Sequence, residues 1–152
     1  MVEALKIRRE CCLLLVGDGE DRQSLEEKAR ALGVADHVIF YGTTAKVEEL
    51  FWSMDVFAFP SRFEGLGIVA VEAQTAGLPV VCSEHVPEEA FVTENARMLP
   101  LTEEAASWAA QLLERTRNTN PAPIESVSQV KEAGFDINDV ANRIFAQFVG
   151  GG

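Results

Sequence analysis

The chain has 152 residues, of which 47% are hydrophobic and 24% are charged, and this composition is typical of one globular domain with a substantial core. Its formal net charge of −11 argues against nucleic acid or an anionic membrane surface as the main partner. No apolar run approaches the roughly 20 residues of a membrane span, and the opening MVEALKIRRE has no signal-peptide core, so we expect no direct membrane insertion.

The predicted elements alternate in chain order between short apolar runs and amphipathic segments. CCLLLVG (11–17) predicts a strand buried on both faces, and residues 20–33 predict a helix that ends at Gly33. HVIFYG (37–42) predicts a second strand, which is followed by a helix that Thr44 can cap. DVFAFPS (55–61) predicts a third strand, stopped by Pro60.

The stretch from 68 to 76 is compatible with two structures. Its β-branched start, IVAV, favours a strand, whereas its alanine-rich continuation, with Gly77 as a carboxyl-terminal cap and Pro79 beyond it, favours a helix. LPVVCS (78–83) and ARMLPL (96–101) predict two further strands. Thr102 is expected to open a helix through residue 116, and two last helices precede a flexible tail at 150–152.

This alternation predicts an α/β fold for residues 1–149, with a doubly wound, Rossmann-like parallel sheet and helices on both faces. In such sheets ligands bind at the carboxyl ends of the strands. Loops expected at those ends contain Asp18, Thr43–Thr44, Ser61–Gly67 and Ser83–Glu89.

The three cysteines predict a structural role. Cys11, Cys12 and Cys82 are odd in number, lie in apolar contexts and lack metal-ligand spacing. We therefore expect buried thiols in a reducing cytoplasm, and no metal site.

Two carboxylates, Glu64 and Glu72, are retained inside the otherwise apolar segment FPSRFEGLGIVAVEAQTAGLPVV (59–81). Gly65 and Gly67 lack a Cβ, which lets the backbone approach a ligand closely and adopt positive φ. If a helix follows, the free amides of its first residues and its dipole form a site for a phosphate. Glu72 then leans back toward the same cleft, because helical Cβ bonds tilt toward the amino terminus. The arrangement suits a sugar nucleotide, which has phosphates and hydroxyl donors.

Each part of this arrangement has a structural alternative. Glu64 alone is equally compatible with a solvated loop acid, and the glycine pair with an ordinary tight turn. Glu72 has a weaker alternative, because a carboxylate among apolar neighbours must be paired or reach solvent.

The segment DVFAFPSRFEGLGIVAVEAQTAGLPVV (55–81) resembles the Glu-x7-Glu signature of the group 1 (GT4) retaining glycosyltransferases of GT-B fold. LLLVGDGEDRQSLEEKARALGV (13–34) and FYGTTAKVEELFWSMDVF (40–57) are similar to the same family. CSEHVPEEAFVTENARMLPLTEEAASWAAQLLE (82–114) is similar to its capsular and exopolysaccharide branch. The resemblance spans about 13–149 and implies the carboxyl-terminal, donor-binding half of such an enzyme.

The resemblance also implies roles for individual residues. Glu64 would lie beside the donor sugar as the candidate catalytic residue, and Glu72 would bind the ribose hydroxyls. The implied donor-binding set is Gly65, Leu66, Gly67, Ile68, Val69, Glu72, Gly42, Thr43 and Thr44. The implied reaction transfers a hexose from an NDP-sugar, usually UDP-linked, to a polysaccharide or lipid-linked acceptor with retention at the anomeric carbon, and without a metal or other cofactor.

Three further side chains are candidates for the same site. Arg62 is a basic group near the glycine pair, for which an exposed surface charge is the alternative. His85 lies in a loop beside Glu88, where Pro87-Glu88 matches a Pro-Glu step common in the family. An ordinary loop histidine is the alternative for His85.

The chain departs from the family pattern at its start. The family's donor domain begins with a strand and a phosphate-binding Arg/Lys pair, whereas MVEALKIRRE resembles the end of the first helix. We therefore expect a truncated domain that lacks the acceptor-binding amino-terminal domain of a parent enzyme and transfers little or no sugar alone. The missing central strand would leave two sheet edges unpaired, so we expect the sheet to close up directly or two chains to share edges as a homodimer.

Two other functions compete with donor binding for glycosyl transfer. A non-catalytic nucleotide-sugar module for regulation or assembly would keep the same pocket. A flavodoxin-like or receiver domain is disfavoured, because the acidic cluster after the first strand is absent and the Glu-x7-Glu motif is present. The expected location is the cytoplasm, with the parent enzyme peripheral at the inner membrane face.

Overall fold

The computed structural model describes residues 1–116 and 123–149. Within those ranges the strands are β1 (Leu13–Val16), β2 (Val38–Gly42), β3 (Phe57–Phe59), β4 (Val80–Cys82) and β5 (Ala96–Met98). The α-helices are α1 (Val2–Ile7), α2 (Arg22–Ala31), α3 (Val47–Phe51), α4 (Ile68–Thr75), α5 (Ala105–Arg115), α6 (Pro123–Val130) and α7 (Ile137–Val149), beside short 3-10 helices at Ala35–His37 and Glu88–Ala90 and a π-helical turn at Lys131–Phe135. All five expected strands are present, each shorter than its apolar run, and the α/β fold is confirmed.

The ambiguous stretch forms helix α4. Gly67, at φ 73°, precedes its first turn, and Gly77, at φ 80°, follows its last. The Gly77 N–H donates to the carbonyl of Gln74 (2.9 Å) and the Leu78 N–H to that of Ala73 (3.0 Å), which is the hydrogen-bond pattern of a Schellman cap. The glycines at the two ends of the segment therefore favour the helix, and they outweigh the preference of the β-branched residues in IVAV for a strand.

Two helix starts differ from expectation. Helix α5 begins at Ala105 rather than at Thr102, after Glu104 in an extended conformation. The Thr44 hydroxyl accepts a hydrogen bond from the Lys46 N–H (3.0 Å) and so forms a turn before α3, rather than capping it.

The strands form two parallel sheets, β1-β2 and β3-β4-β5. Strands β1 and β3 are not hydrogen-bonded to each other, so the expectation that the sheet closes up directly is wrong for the described part of the chain. The sharing of edges between two chains stays a prediction. Away from the strands, α1 packs on α5 and the Arg8 guanidinium donates to the Thr116 hydroxyl (2.9 Å), which connects the segment before β1 with the helix that follows β5.

The core lies around β4 and α4. Strand β4 is buried at every position, whereas β1, predicted to be buried on both faces, is only half-buried and its Val16 is exposed. Ala70 and Ala73 are fully buried, so α4 lies close against its neighbours. This packing holds the amino terminus of α4 at the carboxyl-terminal side of β3.

The cysteine prediction is partly wrong. Cys82 is buried in β4 and Cys11 is half-buried, but Cys12 is exposed. Burial raises the pKa of the Cys82 thiol to about 11. Among residues 1–116 and 123–149, none of the helices has the length and hydropathy needed to cross a bilayer.

Candidate functional site

The glycine turn, residues 64–67, leads from β3 into α4, and its backbone at Gly67 lies close to the side chain of Val86. A Cβ added to Gly67 would lie 3.0 Å from Val86 Cγ1 and 3.4 Å from Glu64 Cγ, so both the left-handed backbone and the space require glycine. Gly65 differs from expectation: its φ is not positive and a Cβ there would have nothing within 4 Å. Gly65 and Leu66 are exposed at the surface of the turn.

The first amides of α4 are available to a ligand. The N–H groups of Ala70 (2.9 Å) and Val71 (3.4 Å) both donate to the Gly67 carbonyl. Within the described ranges, the N–H groups of Ile68 and Val69 have no acceptor, and Gly67 has no side chain to cap them. Free amides and the positive end of the helix dipole make this a suitable place for an anion such as a phosphate.

The two glutamates lie at opposite ends of this turn and helix start. Glu64 is half-buried, and its Oε1 accepts a hydrogen bond from the Gly65 N–H (3.3 Å). Glu72 is exposed, so its carboxylate avoids unpaired burial by reaching solvent, and among the described residues that carboxylate has no hydrogen-bond or ion-pair partner. Within the described ranges, the whole Glu72 carboxylate and the Oε2 atom of Glu64 are therefore free to accept hydroxyl hydrogen bonds.

Glu72 lines a cleft of about 300 Å³ between α4 and the carboxyl-terminal segment. The far wall includes Phe135 and an ion pair between Lys131 Nζ and Asp136 Oδ2 (3.1 Å). The pKa of Asp136 lies below its ordinary value because the Asn138 backbone N–H donates to it and because Lys131 pairs with it. The sequence reasoning missed this wall, since nothing in the local pattern of 127–138 indicates that it packs beside Glu72.

The loop that follows β4, here termed the 83–93 loop (residues 83–93), packs on the glycine turn. The Ser83 hydroxyl donates to the Ser61 carbonyl, and Val86 and Ala90, each 1% exposed, lie against Gly67. His85 and Glu88 are both exposed on this loop. The structure thus brings the segment that contains His85 and Glu88 next to the glycine turn, and contact of either side chain with a donor stays a prediction.

His85 has an acidic neighbour on the same loop. Its Nε2 lies 3.8 Å from Glu84 Oε1. The pKa of Glu84 is lowered because its own backbone N–H donates to it and because the Leu101 N–H does so as well (2.7 Å to Oε2). Glu84 therefore fixes the start of the loop to the segment after β5.

The Gly42–Thr44 loop belongs to the other sheet. Gly42 ends β2 at φ 86°, and its carbonyl accepts a hydrogen bond from the Gly17 N–H (2.8 Å). None of the hydrogen bonds described joins this loop to the glycine turn, but α3, which follows it, contacts α4. The part of Gly42, Thr43 and Thr44 in donor binding stays a prediction.

Two side chains beside Glu64 are exposed. Arg62 forms no ion pair within the described ranges. Phe63 is 89% exposed, and the sequence reasoning missed it, although an aromatic residue directly before Glu64 is a visible signal. Across the same ranges no three His, Cys, Asp or Glu side chains cluster closely enough to hold a metal ion.

Comparison with known proteins identifies the family. The model of the family "Glycosyl transferases group 1" matches residues 1–127. The putative glycosyltransferase EpsF of Bacillus subtilis (strain 168) is 33% identical over 129 residues, which cover 82% of this chain and 33% of EpsF. A GDP-mannose-dependent alpha-(1-6)-phosphatidylinositol monomannoside mannosyltransferase of Mycobacterium tuberculosis is 44% identical over 79 residues, 45% of this chain and 20% of that protein.

Solved structures share the fold. HepE of Anabaena in complex with UDP-glucose matches with a TM-score of 0.75 and 25% identity over 98% of this chain and 44% of HepE. WaaG, a glycosyltransferase involved in lipopolysaccharide biosynthesis, matches with a TM-score of 0.68 and 24% identity over 99% of this chain and 42% of WaaG. This chain spans about a third of the length of EpsF and under half of these structures. The parallel sheets flanked by helices are those of GT-B glycosyltransferases, and the chain belongs to the group 1 glycosyl transferases.

Proposed function

We propose that this chain is the donor-binding domain of a retaining glycosyltransferase that moves a hexose from a nucleoside-diphosphate sugar to a polysaccharide or lipid-linked acceptor. One observation carries the proposal: the N–H groups of Ile68 and Val69 have no acceptor among the described residues, and Glu64 and Glu72, on either side of them in the sequence, form no ion pair there. A diphosphate fits the amides, and hydroxyls on either side of it fit the carboxylates. The metal-independent transfer and cytoplasmic location expected from the sequence stay predictions.

The role of each group follows from this placement. The amides of Ile68 and Val69 and the α4 dipole would stabilise negative charge on the departing diphosphate. Glu72 would accept hydrogen bonds from the ribose, and Glu64 would lie beside the hexose. The nucleobase would lie toward Gly42–Thr44. Alone, the chain would bind the donor without transferring it, because the acceptor site is proposed to lie in another part of the parent enzyme.

The donor base is the open part of the proposal. HepE is described with UDP-glucose, whereas the mycobacterial relative is named as GDP-mannose-dependent. We propose a UDP-sugar, and the test therefore includes both classes of nucleotide.

Calorimetric titration of UDP, UDP-glucose, GDP and GDP-mannose into this chain tests donor binding. Hydrogen bonds to a charged group contribute about 1.5–3 kcal/mol, so Glu72→Ala should weaken nucleotide binding by about tenfold or more. Glu114→Ala, which removes an exposed glutamate on α5, is the matched control and should bind as the wild type does. Absence of binding by the wild type, or equal binding by Glu72→Ala, would refute the proposed site.

The chemistry is tested in the parent enzyme. Glu64→Gln should lower transfer far more than donor binding, and the anomeric configuration of the product, measured by NMR, should match that of the donor. A parent enzyme that binds donor yet never transfers it would favour the regulatory module instead.

A further inference from the structure

Gln74 is a buried polar side chain to which the proposed function assigns no role. It lies in the last turn of α4 and is 1% exposed. Burying an amide is costly unless its donors and acceptor are all bonded. The contacts of this side chain therefore decide what it does.

The hydrogen bonds of Gln74 use its full capacity, mostly on the 83–93 loop. Its Nε2 donates to the carbonyls of Ala90 (2.6 Å) and Ala70 (2.9 Å). Its Oε1 accepts from the N–H groups of Val92 and Thr93 (3.0 Å each) and from the Thr93 hydroxyl (3.2 Å). Because carbonyls only accept and backbone N–H groups only donate, these partners also fix the orientation of the amide.

The 83–93 loop is thus fastened at both ends. Ser83 holds its start to Ser61, and Gln74 holds its end to α4. Between these two points, Val86 and Ala90 are packed against the glycine turn at Gly67. A shift of the loop would therefore open the contact beside the free amides of α4.

We propose that Gln74 is a positioning residue for the donor site, which holds the 83–93 loop against Gly67 and so fixes the wall beside the diphosphate and sugar. The ligand in this inference rests on the proposed function, whereas the attachment of the loop rests on the geometry alone. Loss of the amide releases the loop and weakens binding at the phosphate and sugar end of the donor.

Amide hydrogen exchange measured by NMR tests the attachment without any ligand. In the wild type, the N–H groups of Val92 and Thr93 should be protected although they lie outside helices and strands, and unprotected amides would overturn the proposal. In Gln74→Met, of similar size, the amides of Val92 and Thr93 should lose protection by about tenfold or more, and so should those of Val86 and Ala90. A loss of protection in Gln74→Met that is confined to Val92 and Thr93 would also overturn the proposal, because the rest of the loop would then be held without Gln74.

Two further variants separate this role from general destabilisation. Gln23→Met is the matched control, because Gln23 is exposed on α2 and its side chain, among the described residues, bonds only to Glu27 (3.0 Å), so the 83–93 loop should keep its protection. Gln74→Glu keeps an acceptor for the loop amides and gains a donor when its carboxyl is protonated. Its protection factors should recover as pH falls, and a variant that shows no recovery would contradict the attachment.

Calorimetry with UDP-glucose then tests the consequence for binding. Gln74→Met should weaken binding by about tenfold, while Gln23→Met leaves it unchanged. If the wild type binds and Gln74→Met binds equally well, the positioning role is refuted and the proposed function stands. If the wild type does not bind, the proposed function fails, and hydrogen exchange alone decides whether Gln74 holds the loop.

Discussion

Replacement of Gly67 by alanine should destabilise the protein through two separable effects. The left-handed conformation at φ 73° costs a residue with a Cβ about 1–2 kcal/mol. The new Cβ would lie 3.0 Å from Val86 Cγ1, and crowding against a buried side chain costs about 1–3 kcal/mol. We expect a total loss of about 2–5 kcal/mol in the free energy of unfolding.

Urea denaturation followed by circular dichroism measures this loss. With an m-value of about 1–3 kcal/mol/M, the midpoint should fall by roughly 0.7 M or more while m stays unchanged. Gly33→Ala is the matched control, since Gly33 has φ 68° but nothing within 4 Å of its added Cβ. Gly33→Ala should lower the free energy of unfolding only by the cost of the left-handed backbone conformation, about 1–2 kcal/mol.

The difference between the two variants isolates the contact of the glycine turn with the 83–93 loop. In a double-mutant cycle, Val86→Ala should recover part of the crowding in Gly67→Ala, with a coupling energy of about 0.5–3 kcal/mol. Equal losses for Gly67→Ala and Gly33→Ala, with no coupling to Val86, would refute the packing that we describe.

Two other measurements test burial and charge. Burial raises the pKa of Cys82 to about 11. A thiol reagent at about pH 8 should therefore label the exposed Cys12 in the native protein, and Cys82 only after unfolding. Equally fast labelling of both cysteines would contradict the burial of Cys82. The pKa of Glu84 lies below its ordinary value of 4.5, so the stability it contributes is present above that pH and is lost as pH falls through its folded value. Glu84→Gln should therefore flatten the fall in melting temperature with acid, and an unchanged slope would argue against the hydrogen bonds to Glu84.

Local sequence patterns predicted the strands and helices better than they predicted how the strands combine into sheets. The five strands could be predicted because apolar runs act within a few residues of sequence, whereas α4 was left open between a strand and a helix because its β-branched start and its flanking glycines favour different structures. The division into two sheets depends on which strands find hydrogen-bond partners, and no local pattern contains that information. For the same reason β1 is half-buried although its apolar run predicted full burial.

The candidate site divides in the same way. The glycine turn, the free amides and both glutamates lie in one continuous segment, so the positive φ of Gly67 and the free amides of α4 could be expected from the sequence, whereas the roles of both glutamates stay predictions. Gln74 could not be identified, because its partners lie 16 to 19 residues away along the chain in a loop without periodicity. The wall containing Lys131 was missed because it reaches Glu72 only through tertiary packing.

The division of the strands into two sheets puts the two parts of the proposed donor site on separate sheets. Gly42–Thr44 depends on the β1-β2 pair, whereas the glycine turn depends on the three-stranded sheet with its buried central strand. Regions of a native protein open with free energies that range from near zero to the global value, and the less buried unit opens more readily. The place proposed for the nucleobase should therefore have a shorter lifetime than the place proposed for the phosphates. A donor would meet a persistent phosphate site first and would complete the nucleobase side as it binds.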